Sequence, residues 1–160
     1  MKDGQPSAIH LKEYKVPPYL IDETKLHVDI NEDFTTVTTT LIVRRNPDST
    51  EDKSDFCLDG SVDLDTQSIV VNNRDLMSNE YSIDEDKLTV HGVPEAFELK
   101  SEVRIKPQDN TALEGLYKSG DMFCTQCEAE VFRNITWYSD RPDVMSKYET
   151  TVVANKSAYP

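Results

Sequence analysis

Two stretches of strict alternation govern what this chain can fold into. Leu26, Val28 and Ile30 are interleaved with Lys25, His27 and Asp29, and Val37, Thr39, Leu41 and Val43 share one face of residues 34–44. Successive side chains of a strand point to opposite faces, so each stretch encodes a strand with one buried and one wet face. The many Thr residues of the second add β-branched bulk that suits a pleated surface. Asn31-Glu32-Asp33 between the two predicts a hairpin turn. An apolar period of 3.6 residues is absent over any useful length, which excludes a helical architecture.

Further short strands are predicted at 56–59, 68–72, 81–83, 87–91 and 97–106. Asn46-Pro47, Asn72-Asn73, Asp84-Glu85-Asp86 and Gly92-Val93-Pro94 punctuate them. Short strands with frequent turn signals predict a mainly β fold, an antiparallel β-sandwich. After Pro107, residues 116–118 and 122–124 flank Ser119-Gly120-Asp121 like a small hairpin. Residues 128–135 lack alternation and predict one or two helical turns. Residues 141–147 predict a short helix, with Asp140 as N-cap and Pro142 in its first turn. A last strand is expected at 150–154. Residues 1–13 are expected to form a loose tail, and 14–160 a single β-rich domain entered at Pro17-Pro18. The abrupt stop at Tyr159-Pro160, with no polar tail, predicts a larger protein of which this is one part.

Seventeen basic residues face thirty acidic ones, a net charge of −13. Such a surface repels phosphate backbones and anionic lipid, so neither nucleic acid nor membrane is an expected partner. No window approaches ~18 consecutive apolar residues, which excludes a spanning helix. No apolar run follows a basic start, so no secretory leader is read. The acidic excess concentrates in 47–65, where Asp48, Glu51, Asp52, Asp55, Asp59, Asp63 and Asp65 face only Lys53. Without an Asp-x-Asp-x-Asp-Gly calcium loop, this run reads as a solvated loop and strand edge. Three cysteines, an odd number, point to free thiols in a reducing compartment and hence to the cytoplasm.

Cys124-Thr125-Gln126-Cys127 is a lone C-x-x-C. Structural zinc needs four ligands, and His10, His27 and His91 are scattered. A redox dithiol normally opens a helix after a strand of a βαβ unit, and no such unit is present. No H-E-x-x-H, no G-x-S-x-G and no phosphate-cradling glycine loop occurs. The chain is therefore expected to carry no catalytic residues and no metal ligands of its own. Gln126, Glu128 and Glu130 stand out, because Met122, Phe123, Phe132, Ile135, Trp137 and Tyr138 surround them in the sequence. A carboxylate in apolar surroundings favours a cationic partner. That partner is either a ligand or Arg133, which could pair with Glu128 or Glu130.

Asn110-Thr-Ala-Leu-Glu-Gly-Leu-Tyr117, Cys124-Thr-Gln-Cys-Glu-Ala-Glu130, Phe132-Arg133, Ile135-Thr136 and Asp140-Arg-Pro-Asp-Val144 follow one another along the chain. In this order and spacing they resemble the N-terminal domain of the aminopeptidase N family, zinc metallo-aminopeptidases of the gluzincin type. The resemblance runs from Tyr14 to Pro160 and implies a β-sandwich-like saddle packed on a thermolysin-like catalytic domain. It places the zinc, the general base and the exopeptidase motif in that following domain, so the cofactor of the parent enzyme lies outside this chain. For this chain it implies that Glu128 binds the free α-amino group of a peptide and Gln126 lines the first subsite. The implied partners are the peptide N-terminus and the catalytic domain. Val131, where a Gly is usual, and Ser139, where an apolar residue is usual, depart from the family pattern. Two other readings remain at this stage: a stand-alone β-sandwich module binding protein or glycan, and a small zinc or redox protein built on Cys124 and Cys127.

Overall fold

The computed structural model describes residues 10–51 and 55–159. Residues 1–9 of the expected tail, and Asp52 and Lys53 of the acidic run, lie outside the described residues. Two sheets and a separate hairpin contain eleven strands among the described residues. The two alternating stretches form β1 (Tyr19–Ile30) and β2 (Thr35–Arg45), paired antiparallel around the turn at 31–34. β1 begins well before the alternation read from residue 25. A bulge at Asp22 leaves Asp22 and Glu23 both exposed, and this slip of phase hides the strand's first half from a period-2 reading.

The larger sheet continues with β8 (Ala96–Ile105), β4 (Asp65–Val71) and the two-residue β5 (Arg74–Asp75). Its strand order is β11-β1-β2-β8-β4-β5, where β11 is Lys147–Val153. Asn72 and Asn73, at φ 49° and 62°, make the tight turn between β4 and β5. The smaller sheet has the order β3-β7-β6, from Phe56–Asp59, Lys87–Val90 and Tyr81–Ile83. β9 (Gly115–Ser119) and β10 (Met122–Gln126) form the hairpin read from 116–124.

The mainly β expectation holds, with several antiparallel sheets. Three details correct the sequence reading. β11 runs parallel to β1 at the sheet's edge, with Glu23 opposite Lys147 and Asp29 opposite Val153. No helix spans 141–147: Arg141 instead grips Asp143 at 2.7 and 2.8 Å, and Lys147 already opens β11. Asp140 caps nothing there, because its carboxylate accepts from Arg133. In 128–135 one helical turn forms as expected, a 3-10 turn at Phe132–Asn134. Leu11–Glu13, within the expected tail, forms another exposed 3-10 turn.

The core follows from the alternation. Val37, Leu41 and Val43 of β2 and Leu99 and Val103 of β8 are essentially solvent-free, and Leu58, Leu88 and Val90 of the small sheet join them in one cluster. Tyr19, Phe56 and Phe97 meet edge-to-face with centroids 5.4–6.0 Å apart, which ties β1, β3 and β8 together. Aromatic pairs of this geometry add about 0.5–1.5 kcal/mol each beyond area burial. Trp137 lies in the same cluster and donates its indole N–H to Thr66 Oγ1 at 2.9 Å. Next to it, Thr136 shares a buried 2.6 Å hydrogen bond with Thr39 of β2. Residues 135–139 are therefore core, and they fix where the preceding turn stands.

Candidate functional site

The segment from Gln126 to Arg133 is a crown on two sunken feet. Gln126 ends β10 opposite Gly115, with its side chain exposed. Cys127 and Phe132 are partly buried and pack on the core cluster. Phe132 meets Tyr138 and Tyr148 edge-on, with centroids at 5.0 and 5.9 Å. Between the feet, Glu128, Ala129 and Glu130 stand exposed. The backbone closes on itself through Val131 N–H to Cys127 O at 3.4 Å, with a cis Glu128–Ala129 peptide and Glu130 at φ 61°. Asn134 sits so close to Gly115 that a Cβ there would lie 2.8 Å from Asn134 Cβ, so the hairpin approaches the 3-10 turn only because position 115 has no side chain.

Behind the crown lies an ionic network centred on Arg133. Its backbone N–H and Nε both donate to Asp140 Oδ2, at 3.1 and 3.0 Å. Nη2 donates to the Asp140 carbonyl at 3.1 Å and to Glu130 Oε2 at 3.4 Å, and Nη1 stands 3.8 Å from Asp59 Oδ1. Lys87 pairs with the same Asp59 carboxylate, whose other oxygen accepts from Asp140 N–H at 3.1 Å. The side chains of Asp59 and Asp140 are only 13% exposed, so their charges need this compensation. Burial works against the Arg133 charge, but the Asp140 hydrogen bond and the fields of Asp59, Asp140 and Glu130 outweigh it and push its pKa up.

This geometry resolves the pairing left open by the sequence. Glu130 takes Arg133. Glu128 is exposed and, among the described residues, its carboxylate has no hydrogen-bond or ion-pair partner. Gln126 and Glu128 share the crown, and neither lines the cavity of about 690 Å³ between the end of β8 and residues 107–116. The apolar surroundings expected for Glu128 are displaced: Ile135, Trp137 and Tyr138 face the core, and the carboxylate faces solvent. Asp59 and Lys87 were missed as members of this network. Asp59 was visible in the sequence only as one more acid of a run, although it ends a strand whose register puts it opposite Lys87.

Cys57, Cys124 and Cys127 are free thiols. Burial foremost, with Asp140 nearby, pushes the Cys127 thiol up, the opposite of what an attacking dithiol needs. Among the described residues no group of three or more His, Cys, Asp or Glu side chains is placed to hold a metal ion. No helix among them is long and apolar enough to cross a membrane.

Two sheets closed over one core, with a hairpin and a clamped turn at one end, place the chain among β-sandwich domains. More particularly, it belongs to the peptidase M1 N-terminal domain family, which matches residues 13–159. It is 42% identical to the aminopeptidase N of Caulobacter vibrioides over 155 residues, 97% of this chain and 18% of that protein. It is 40% identical to the aminopeptidase N of Escherichia coli over 156 residues, 98% of this chain and 17% of that one. Among solved structures, Legionella pneumophila aminopeptidase A in complex with aspartic acid matches with a TM-score of 0.86 and 28% identity, over 94% of this chain and 18% of that one. An M1 zinc metallopeptidase from Deinococcus radiodurans, 15% identical, shares the fold with a TM-score of 0.68 over 86% of this chain and 33% of that one. The chain thus spans less than a fifth of the length of these curated relatives.

Proposed function

We propose that this chain is the N-terminal, non-catalytic domain of a zinc aminopeptidase that releases N-terminal amino acids from peptides. In this reading Glu128 binds the free α-amino group of the substrate and Gln126 lines the first subsite. The observation that carries it is the contrast within one turn: Asp59, Asp140 and Glu130 are all matched to Arg133, while the Glu128 carboxylate stands free of any partner among the described residues. An aminopeptidase must tell a terminal ammonium from an internal amide. A fixed carboxylate does so, because a charge-assisted hydrogen bond is roughly twice as strong as a neutral one. Once the pocket is closed, a substrate lacking the ammonium leaves that carboxylate unpaired.

Among the described residues no cluster of side chains fits a zinc site, and in this reading the metal belongs to the catalytic domain that follows. When bound there, zinc would supply polarisation of the scissile carbonyl and activation of water. The chain's own task is to hold the amine. The remaining partner is the catalytic domain, against which the crown has to dock before Glu128 and Gln126 form part of a pocket. Three free thiols suit a reducing compartment, and we place the protein in the cytoplasm.

The test is Glu128→Ala in the full-length enzyme, assayed on an aminoacyl anilide. A loss of about 2–5 kcal/mol of transition-state stabilisation is expected, as when one member of a desolvated charge pair is removed. Unchanged kcat/KM removes Glu128 from amine binding.

A further inference from the structure

The crown has one polar hold on its exposed residues. Its feet, Cys127 and Phe132, are anchored by packing, and the backbone bond from Val131 to Cys127 closes its base. Above that base, among the described residues, the only side-chain hydrogen bond or ion pair of residues 128–130 is from Arg133 Nη2 to Glu130 Oε2. Arg133 is itself immobilised: three donors, on the backbone N, Nε and Nη2, are spent on Asp140, whose carboxylate and carbonyl both accept. Asp59, held in turn by Lys87, faces Nη1 from the other side. The guanidinium therefore acts as a fixed post on which Glu130 is tied. Glu130 also holds a left-handed backbone conformation two residues from Glu128, so the tied residue is the one where the crown's backbone is most unusual for a side-chain-bearing residue.

We infer that Glu130 and Arg133 are positioning residues for Glu128: their ion pair fixes the crown and engages its second carboxylate, so that Glu128 alone meets the substrate's cation. This rests on the amine-binding role proposed for Glu128 and deepens it. The pair is solvent-screened, with the Glu130 side chain 63% exposed, and contributes little to global stability. Its effect is on geometry. A reacting group displaced by about 1 Å can lose up to about 100-fold in rate, so a modest loosening of the crown is legible in kinetics while thermal stability stays put.

A double-mutant cycle in the full-length enzyme tests this, with a free-amine aminoacyl anilide as substrate. Glu130→Ala is expected to lower kcat/KM by about 10-fold, mostly through KM, with an unchanged melting temperature. Glu130→Gln is expected to restore most of the loss, because its amide oxygen still accepts from Arg133. In a Glu128→Ala background, adding Glu130→Ala is expected to have no further effect. Unaltered kcat/KM in Glu130→Ala overturns the inference, and so does the same loss in both backgrounds. A Glu130→Gln enzyme as impaired as Glu130→Ala also overturns it, by assigning the Glu130 charge to the substrate itself. Wild-type activity in Glu128→Ala rejects the amine-binding role first, and the positioning role falls with it. Loss in Glu128→Ala with none in Glu130→Ala rejects the positioning role alone.

Discussion

Trp137 occupies the space that a side chain at position 60 would need: a Cβ on Gly60 would lie 1.9 Å from Trp137 Cζ3 and 2.2 Å from Cε3. The indole is 1% exposed and tied to Thr66 on its far side, so it has nowhere to retreat. Gly60 follows Asp59, which anchors the Arg133 network, so the close approach also sets the network's distance from the core. Gly60→Ala is expected to destabilise the chain by about 1–3 kcal/mol, the range for overpacking a well-filled interior. Urea denaturation followed by tryptophan fluorescence reads this directly. An unchanged midpoint means that Trp137 can move.

The Thr39–Thr136 hydroxyl pair makes a second, separable claim. Both residues are fully buried and the oxygens are 2.6 Å apart. Thr39→Val strands the Thr136 hydroxyl and is expected to cost about 1–3 kcal/mol, whereas replacing both by Val is expected to cost less than the sum of the single changes. Additive costs would mean that the two hydroxyls do not depend on one another.

What the sequence made legible follows the same physics. β2 and β8 alternate without interruption, and their buried faces are those that a period of two assigns. β1 was half visible because the Asp22 bulge shifts its phase, and β5 was invisible because two residues show no period. The parallel pairing of β11 joins residues more than a hundred positions apart, and all seven of its residues are exposed, so no alternation betrays its face. At the site, Gln126 and Glu128 were picked out by resemblance. Their setting was not, since Arg133 could equally have taken either Glu by spacing, and the choice is made by Asp140 and Asp59 through the fold. The 141–147 helix was a local signal overruled in the same way, its N-cap being claimed by Arg133.

Glu80 gives a pH prediction with a definite sign. Arg74 binds its two oxygens at 2.8 Å each and Met77 N–H donates at 2.9 Å, and these bonds, the Arg74 one foremost, hold its pKa down to about 2. A carboxyl depressed on folding supports the folded state above its unfolded pKa, about 4.3 for Glu, and loses that support as pH falls towards the folded value. Carboxyl carbon shifts are expected to show Glu80 still ionised at pH 3. Arg74→Ala is expected to return its midpoint towards the ordinary range. A wild-type midpoint already in that range would show that the fork does not persist in solution.

Burial separates Cys127 from Cys57 in reactivity. Cys57 is exposed on β3, whereas Cys127 is half-buried and its thiol is pushed up by burial and by Asp140. Alkylation needs the thiolate, so at pH 8 iodoacetamide is expected to modify Cys57 well before Cys127, as resolved by peptide mass spectrometry. Raising the pH is expected to narrow the gap, because a larger share of Cys127 ionises. Desolvation also keeps Cys127 protonated, so it is slow to displace water from a Cys124 that a peroxide has first oxidised to the sulfenic acid. Replacing both by Ser is therefore expected to leave the peptidase activity proposed for the full-length protein within a few-fold, and its sensitivity to mild oxidants unchanged. Cys127 reacting first, or oxidant sensitivity disappearing with the two sulfurs, would return the C-x-x-C to redox chemistry and make the crown's sunken foot a chemical group rather than a packing one.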